Sequence, residues 1–158
     1  MLYSYVETPI GPLLVAGDRR RLQQVRFAPS HPDDGWERDA HAFDDVAGQL
    51  AEYFAGKRRT FDVDLDLSGT PFQLEVWSAL QRIPYGEVRS YGEIARAIKR
   101  PKAVRAVGAA NGANPIPIIV PCHRVIGSNG SLTGFGGGLD VKRRLLELET
   151  QGYTPRLF

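Results

Sequence analysis

The first third of the chain alternates between apolar and polar side chains. Over residues 1–27, two turn-forming segments, residues 9–12 and residues 18–21, interrupt this alternation. Alternation of this kind places the apolar side chains on one face of a strand, so the pattern predicts a short antiparallel meander. Residues 28–41 contain two prolines, a glycine and several aspartates, which predicts a loop after the meander.

A helix and one more strand are predicted next. Apolar residues recur with helical spacing over residues 43–54, and Gly56 follows as a helix-ending residue. Residues 61–67 alternate between apolar side chains and aspartates, which predicts a strand with one buried face and one acidic face. The acidic face could bind a substrate or a metal ion, but regularly spaced carboxylates far more often keep an exposed strand soluble.

The second half of the chain contains helix-capping signals. Thr70 and Gln73 form a capping box before an apolar helical pattern that continues to Ile83. Ser90 and Glu93 form a second capping box before a shorter helix. Two further helices are predicted over residues 102–111 and residues 141–148. This part of the chain is therefore predicted to be mainly helical.

A break separates two of these helices. Residues 99–101 interrupt the helical pattern between the short helix and the helix over residues 102–111. Two short helices across such a break resemble a helix-turn-helix, whose second helix enters a groove of DNA. Small residues in that second helix, among them Ala106 and Gly108, would let it approach DNA closely, although they would serve tight helix packing equally well.

Charge is divided unevenly along the chain. Residues 1–69 carry eight Lys and Arg against 12 Asp and Glu, whereas residues 70–158 carry 12 against six. The second part therefore has a net charge of +6 and is suited to a polyanion such as nucleic acid, although ordinary solvated surfaces also carry such a surplus. We predict two domains with a boundary at residues 68–69 and an α/β (α+β) fold class. A small sheet-plus-helix domain would pack on a mainly helical domain.

Other features of the sequence bear on compartment and bound groups. There is no apolar run of membrane-spanning length, and the first residues lack the basic and apolar regions of a signal peptide, so we expect a cytoplasmic protein without membrane contact. A single cysteine excludes an intrachain disulfide and a cysteine-rich zinc site. We expect no metal and no cofactor. Residues 129–131 match a glycosylation sequon, but they are better interpreted as the Asn-Gly turn of a hairpin.

The candidate chemistry lies in residues 118–125, where the only cysteine, Cys122, is followed directly by His123. Apolar surroundings raise the pKa of a thiol, so a nucleophilic Cys122 needs a base nearby. In an extended strand the two side chains would point to opposite faces, so either the chain turns at Pro121 and Cys122 or a water molecule connects them. The alternative is a structural pair, with Cys122 as a small buried apolar residue and His123 as a hydrogen-bonded core histidine.

A set of motifs surrounds this pair. They are PCHRVIG at 121–127, LTGFGGGL at 132–139, KRRLLELE at 142–149, IPYGEV at 83–88, SYGEIA at 90–95 and RAVGAAN at 105–111. With these motifs the chain resembles the O6-alkylguanine-DNA alkyltransferases over about residues 70–150, and more loosely before them. The resemblance implies an RNase H-like amino-terminal domain and a winged-helix-like carboxy-terminal domain that binds DNA.

The resemblance also implies a catalytic group. Cys122 would accept the alkyl group, His123 would draw the thiol proton through a water molecule, and Glu149 would orient the histidine. Tyr91 would hydrogen-bond the extruded base and donate a proton to it, while Asn114 would brace the active-site turn. Without the resemblance, Glu149 would be interpreted as a solvated carboxylate and Tyr91 as an aromatic residue at a helix start.

A second group of residues is implied to contact DNA. Arg105 would fill the space that the extruded base leaves in the stack, and its alternative role is a simple phosphate contact. The other implied DNA contacts are Ala106, Gly108, Tyr91 and Arg124.

The implied substrate pocket consists of Pro117, Val125, Phe135 and Gly136. Main-chain groups of Cys122, Val125 and Gly136 would read the guanine edge. Relatives often have tyrosine in place of Phe135, and some have serine in place of Gly136. Phe135 still offers an aromatic ring for stacking on the base, whereas the polar groups that tyrosine and serine would place near O6 are absent.

The resemblance therefore implies a DNA repair enzyme that acts once. It would transfer the alkyl group of O6-alkylguanine, and also that of O4-alkylthymine, from double-stranded DNA irreversibly to Cys122. We expect it to act as a monomer, with cooperative loading on DNA left open. Two other classes remain: a non-catalytic protein that binds alkylated DNA, which would lack the nucleophile, and a Cys-His hydrolase, which would turn over and would not need Arg105.

Overall fold

The computed structural model describes residues 1–150, so residues 151–158 of the predicted second domain lie outside the described residues. The chain divides into two compact units, one of residues 1–68 and one that begins at residue 69. The first contains a sheet and a helix and the second is mainly helical, so the predicted α/β fold class is confirmed. Among the described residues, no helix is long and apolar enough to cross a membrane.

The sheet of the first unit contains the strands β1 (Leu2–Val6), β2 (Leu13–Gly17), β3 (Leu22–Arg26) and β4 (Glu37–Arg38). Their order in the sheet is β3-β2-β1-β4. β1 and β3 both pair antiparallel with β2, which confirms the predicted meander. Every residue of β2 is buried, so this strand lies at the centre of the unit.

β4 lies within residues 28–41, where the sequence predicts only a loop. It pairs in parallel with β1. Glu37 N donates to Met1 O, and Asp39 N donates to Tyr3 O, each at 2.9 Å. This short strand forms because the edge of β1 offers unpaired backbone groups. The composition of residues 28–41 does not favour a strand, so the sequence pattern cannot predict it.

Helix α1 (Asp44–Phe54) has the predicted position. It buries Val46, Leu50 and Tyr53 on one face. Gly56 has a φ of 76° and its N–H donates to Tyr53 O at 3.0 Å, so glycine ends the helix in a left-handed conformation as predicted.

The strand predicted over residues 61–67 forms only one bridge, in which Leu65 lies opposite Leu22. The side chain of Gln49 in α1 donates to Asp62 O at 2.9 Å and accepts from Asp62 N at 2.8 Å. A helix side chain thus satisfies backbone groups that a neighbouring strand would otherwise satisfy. The prediction of a full strand is therefore wrong, although the exposed position of Asp62 agrees with the predicted acidic face.

Within the described residues, the second unit contains helices α2 (Pro71–Gln81), α3 (Tyr91–Ala97), α4 (Val104–Gly112) and α5 (Leu139–Glu149), and a 3₁₀ turn (Cys122–Arg124). Two short parallel strands, β5 (Arg89–Ser90) and β6 (Val125–Ile126), form a small sheet that the sequence pattern does not indicate. The predicted helices are confirmed, with their ends displaced by about two residues or fewer.

Both predicted capping boxes are present. Thr70 Oγ1 accepts from Gln73 N at 3.1 Å, and Gln73 Oε1 accepts from Thr70 N at 2.9 Å. Ser90 and Glu93 exchange the same two bonds at 3.0 Å. The second box fixes Tyr91 as the first residue of α3, because each box satisfies backbone N–H groups that the first helical turn leaves free.

The helix-turn-helix is formed by α3 and α4. The break between them includes Lys99, whose φ of 63° turns the chain sharply at the predicted position. Trp77 of α2 is 2% exposed, and its Nε1 donates to Ala110 O at 2.9 Å. This bond and the packing around it hold α4 against α2, so the exposed face of α4 has a fixed direction within the unit.

The predicted Asn-Gly turn forms between β6 and α5. Gly130 has a φ of 83° and donates to Gly127 O at 2.9 Å. Residues 131–138 contain no strand, so the predicted hairpin is wrong. Gly127 N donates to Ser131 O at 2.9 Å, and Asn129 Oδ1 accepts from Ser131 N at 3.1 Å, so these local bonds close the turn without a partner strand.

Candidate active site

Two short strands bring the cysteine segment to the start of α3. Arg89 pairs with Val125, and Ser90 pairs with Ile126. Tyr91 follows β5 directly, and the 3₁₀ turn that begins with the cysteine precedes β6 directly. The backbone of the small sheet therefore joins the helix-turn-helix to the candidate nucleophile.

The chain turns at the cysteine. Cys122 N donates to Val120 O at 2.8 Å, and Arg124 N donates to Pro121 O at 3.0 Å. Of the two arrangements left open by the sequence, the turn is therefore present. Because the backbone is not extended here, Cys122 and His123 need not point to opposite faces.

Two asparagines hold this turn. Asn114 Nδ2 donates to Val120 O at 2.8 Å, and Asn114 Oδ1 accepts from Ile116 N at 3.0 Å. Asn111 in α4 donates from Nδ2 to Cys122 O at 3.3 Å. The sequence does not predict the contact of Asn111 with Cys122, because Asn111 is recognisable there only as the last residue of a predicted helix.

The backbone before the cysteine has an uncommon conformation. Ile118 has a φ of 74°, a region that β-branched residues rarely adopt, and it is 1% exposed. Val120 N donates to Ile116 O at 3.0 Å around it. A conformation of this kind persists only where its surroundings impose it, so the bonds from Asn114 help to hold the segment in one shape.

A buried carboxylate lies beside the histidine. Glu149 Oε2 is 2.7 Å from His123 Nε2, and the two carboxylate oxygens accept from Arg124 Nε at 2.7 Å and Nη2 at 3.1 Å. All three side chains are buried. Burial opposes ionisation of Glu149, but the charges and hydrogen bonds of His123 and Arg124 outweigh it and hold the pKa of Glu149 well below its usual range.

The position of Arg124 does not fit the DNA contact that the resemblance implies. Its side chain is 8% exposed, it pairs with Glu149 through two nitrogens, and its Nη1 donates to Ile83 O at 2.7 Å. A guanidinium held in this way cannot reach a phosphate on the protein surface without breaking a buried ion pair. We therefore assign Arg124 to the ion pair and remove it from the expected DNA contacts.

The candidate nucleophile is a neutral thiol at rest. Cys122 is 5% exposed. Burial raises the pKa of the Cys122 thiol to about 11, although a hydrogen bond from Asn114 and the charge of Lys142 act in the opposite direction. Nδ1 of His123 is buried and has no hydrogen-bond partner within residues 1–150, while Nε2 faces Glu149. Nδ1 is therefore the nitrogen available to take the thiol proton, directly or through a water molecule.

A buried lysine also supports the site and is missed from sequence. Lys142 Nζ donates to Val125 O at 2.6 Å and to Thr133 O at 3.1 Å. Burial lowers the pKa of Lys142 to about 8, against an opposing effect of Cys122. The sequence does contain a signal, because Lys142 and Glu149 both fall on the buried face of α5. A charged residue at such a position requires buried partners.

Tyr91 lies half-buried against α4. Its phenolic oxygen accepts a hydrogen bond from Thr133 Oγ1 at 2.8 Å. A Cβ atom at Gly108 would lie 3.9 Å from the Tyr91 ring, which is an ordinary van der Waals contact, so packing against the ring does not require glycine here. Gly108 thus lies beside Tyr91 and is half-buried, and the DNA contact that the resemblance implies for it stays a prediction.

The exposed surface of α4 contains Arg105 and Ala106. Val104 beside them is 40% exposed, which is unusual for an apolar side chain of its size. An exposed arginine and small or apolar neighbours on the second helix of a helix-turn-helix are suited to a DNA groove.

The pocket residues differ in exposure. Pro117 and Val125 are buried, Phe135 is half-buried and Gly136 is exposed. A Cβ atom at Gly136 would meet no atom within 4 Å, so the absence of a side chain there is not required by packing. Val125 O already accepts from Lys142, but a carbonyl oxygen has a second lone pair with which it can accept from a base.

Replacement of Glu149 by glutamine tests the ion pair. Because the folded-state pKa of Glu149 is depressed, its stabilisation is present above the ordinary glutamate pKa and is lost as the pH falls toward the folded-state value. We expect Glu149→Gln to lower the free energy of unfolding by about 3 kcal/mol at neutral pH. Urea unfolding at a series of pH values should show this difference shrink below about pH 4.

The matched control is Glu147→Gln, which makes the same chemical change on the same helix outside the ion pair. It should leave the free energy of unfolding within about 0.5 kcal/mol of the wild type. A loss in Glu149→Gln that stays constant from neutral to acidic pH would contradict the assigned role of the charge.

Comparison with known proteins gives two matches to one family. The 6-O-methylguanine DNA methyltransferase family matches through its ribonuclease-like domain over residues 1–67 and through its DNA binding domain over residues 71–151. A methylated-DNA--protein-cysteine methyltransferase of Methanosarcina acetivorans is 54% identical over 153 residues, which cover 94% of this chain and 98% of that protein. The protein of the same name in Mycobacterium bovis is 56% identical over 152 residues, which cover 93% and 91%.

Solved structures agree with this relationship. The crystal structure of Mycobacterium tuberculosis OGT in complex with DNA has a TM-score of 0.93 and 55% sequence identity, and the match covers 96% of this chain and 94% of that one. The methyltransferase of Pyrococcus kodakaraensis, at 22% identity and a TM-score of 0.56, shares the fold. The matched domains and close relatives extend over almost the whole sequence. The chain therefore belongs to the 6-O-methylguanine DNA methyltransferase family.

Proposed function

We propose that this chain repairs DNA by transferring the alkyl group of O6-alkylguanine directly to the sulfur of Cys122. One arrangement carries the proposal: a buried neutral thiol next to a histidine whose Nε2 faces a buried carboxylate and whose Nδ1 is unpaired within residues 1–150. The names of the relatives, methylated-DNA--protein-cysteine methyltransferases, support the same reaction.

The reaction is a displacement at carbon. The thiol proton passes to Nδ1 of His123, and Glu149 stabilises the imidazolium that results. The thiolate of Cys122 attacks the alkyl carbon, so the S–C bond forms as the O6–C bond breaks and its electron pair moves into the guanine. Tyr91 donates a proton to the departing base. The imidazolium of His123 then releases its proton to solvent, and the phenolate of Tyr91 takes one up from solvent. In total, one alkyl group moves to sulfur and one proton moves from the thiol to guanine.

The lesion must first leave the duplex. An O6 substituent is hidden within the base stack, so the nucleotide is extruded into the pocket, at a cost of a few kcal/mol. Arg105, exposed on α4, fills the space that the base leaves, while Ala106 and Val104 lie against the groove. We extend the proposal to O4-alkylthymine, whose alkyl group is likewise bound to an exocyclic oxygen.

The product cannot be recycled. An S-alkyl cysteine is a thioether, which lies outside the reversible disulfide and sulfenate chemistry of thiols. The chain has no second cysteine to accept the group. We therefore propose that each molecule acts once, without a cofactor, as a monomer in the cytoplasm, with cooperative loading on DNA left open.

Alkyl transfer should be visible on the protein itself. After incubation with a duplex containing O6-methylguanine, intact-mass analysis should show one added methyl group, and peptide mapping should locate it on Cys122. With lesion in excess, repair should reach a plateau at about one lesion per protein molecule, because the thioether is inert. Cys122→Ser is the control and should leave the DNA unrepaired.

Other outcomes distinguish the competing classes. Repair that continues linearly past one lesion per molecule would indicate a hydrolase-like turnover. An unmodified Cys122 in a folded protein that still binds the lesion would indicate a non-catalytic damage-binding protein.

Arg105 should matter for duplex DNA and much less for a free base. Arg105→Ala should slow repair of a lesion in duplex DNA by more than about tenfold, because extrusion becomes harder. Single-turnover reaction with free O6-benzylguanine, which needs no extrusion, should stay within about twofold of the wild type. The control Lys102→Ala removes another exposed positive charge next to α4 and reports the effect of charge alone. Equal losses on both substrates in Arg105→Ala would point instead to a damaged active site.

A further inference from the structure

A single hydroxyl group links the predicted proton donor to the segment before α5. Thr133 Oγ1 donates to the phenolic oxygen of Tyr91 at 2.8 Å, across 42 positions of sequence. Thr133 lies in the motif at residues 132–139, but the sequence alone assigns it no role. The contact joins the first residue of α3 to a segment, residues 131–138, that has no regular secondary structure of its own.

Thr133 is held from its other side as well. Its carbonyl oxygen accepts from Lys142 Nζ at 3.1 Å, and the same ammonium group donates to Val125 O at 2.6 Å. Lys142 is fully buried, so its position is determined by the packing of α5. The Thr133 backbone is thereby fixed relative to β6, and its hydroxyl is presented to Tyr91 from a defined place.

The direction of the hydrogen bond matters for Tyr91. Each hydroxyl is both a donor and an acceptor, and the two oxygens lie 2.8 Å apart, so Thr133 can donate to the phenolic oxygen while Tyr91 donates to the base. The phenolic hydrogen is then free to be donated to a different group. A hydroxyl that accepts one hydrogen bond also becomes a stronger donor in the next, because hydrogen bonds in a chain polarise one another.

We propose that Thr133 is a positioning residue, which orients the hydroxyl of Tyr91 and strengthens it as a proton donor to the departing base. The inference rests on the proposed alkyl transfer and on the role of Tyr91 in it. Thr133 itself does not touch the reacting atoms in this account, because its hydroxyl acts through the phenol.

Valine in place of Thr133 removes the hydroxyl and little else. Thr133→Val keeps the branched shape and the carbonyl that Lys142 contacts. We expect the single-turnover rate of methyl transfer from duplex DNA to fall by about fivefold to tenfold, the effect of one hydrogen bond. Affinity for the same duplex without a lesion should not change. Thr133→Ser restores the hydroxyl and should return the rate to within about twofold of the wild type.

The variant Tyr91→Phe distinguishes a role of Thr133 in positioning Tyr91 from a role in stabilising residues 131–138. In Tyr91→Phe the phenolic oxygen is absent, so the addition of Thr133→Val should cause no further loss of rate. Ser131→Ala serves as the matched control, because it removes a hydroxyl from the same segment, one that bonds to Asn129 and not to Tyr91. Its transfer rate should equal that of the wild type.

The outcomes distinguish this inference from the proposed function. A wild-type rate in Thr133→Val, or an equal loss from Thr133→Val in the Tyr91→Phe background, would overturn the positioning role while methyl transfer by the wild type still stands. Failure of the wild-type protein to accept a methyl group would overturn the proposed function, and this inference with it.

Discussion

The buried carboxylate of Glu149, which forms an ion pair with Arg124 and a hydrogen bond with His123, is the group on which the rest of the site depends. It joins the end of α5 to the 3₁₀ turn that contains the cysteine, and Arg124 extends it to the backbone at Ile83. A carboxylate in this position would be costly without its partners, since burial disfavours charge. The arrangement therefore fixes the histidine and keeps a negative charge beside it.

That fixed charge explains how a buried thiol can react. Burial protects Cys122 from solvent and from unwanted oxidation, but it also raises the thiol pKa to about 11, so few thiolates exist at neutral pH. Reactivity must then come from proton transfer to His123 when the alkyl carbon is in place. Glu149 stabilises the charged histidine, while Asn114 and the strained backbone at Ile118 hold the nucleophile in one direction.

The sequence predicts features whose causes are local. The capping boxes that begin with Thr70 and Ser90 depend on residues three positions apart, and both form as predicted. Features that depend on distant partners are missed. β4 forms against the edge of β1, and β5 and β6 form by pairing with each other. The resemblance implies a DNA contact for Arg124, and the sequence gives no sign of its ion pair with Glu149, which lies 25 positions away. Lys142 could have been identified, because a lysine on the apolar face of a helix is itself a signal.

The central claim is that Cys122 is a neutral thiol at rest and loses its proton to His123 only during transfer. Because the chain has a single cysteine, protein labelled with carbon-13 at cysteine Cβ gives one resonance that reports the ionisation of this thiol. In the free protein we predict that this resonance stays at the thiol position through neutral pH and begins to shift only as the pH approaches about 11. A titration with its midpoint at or below neutral pH would show a resting thiolate and would contradict the account.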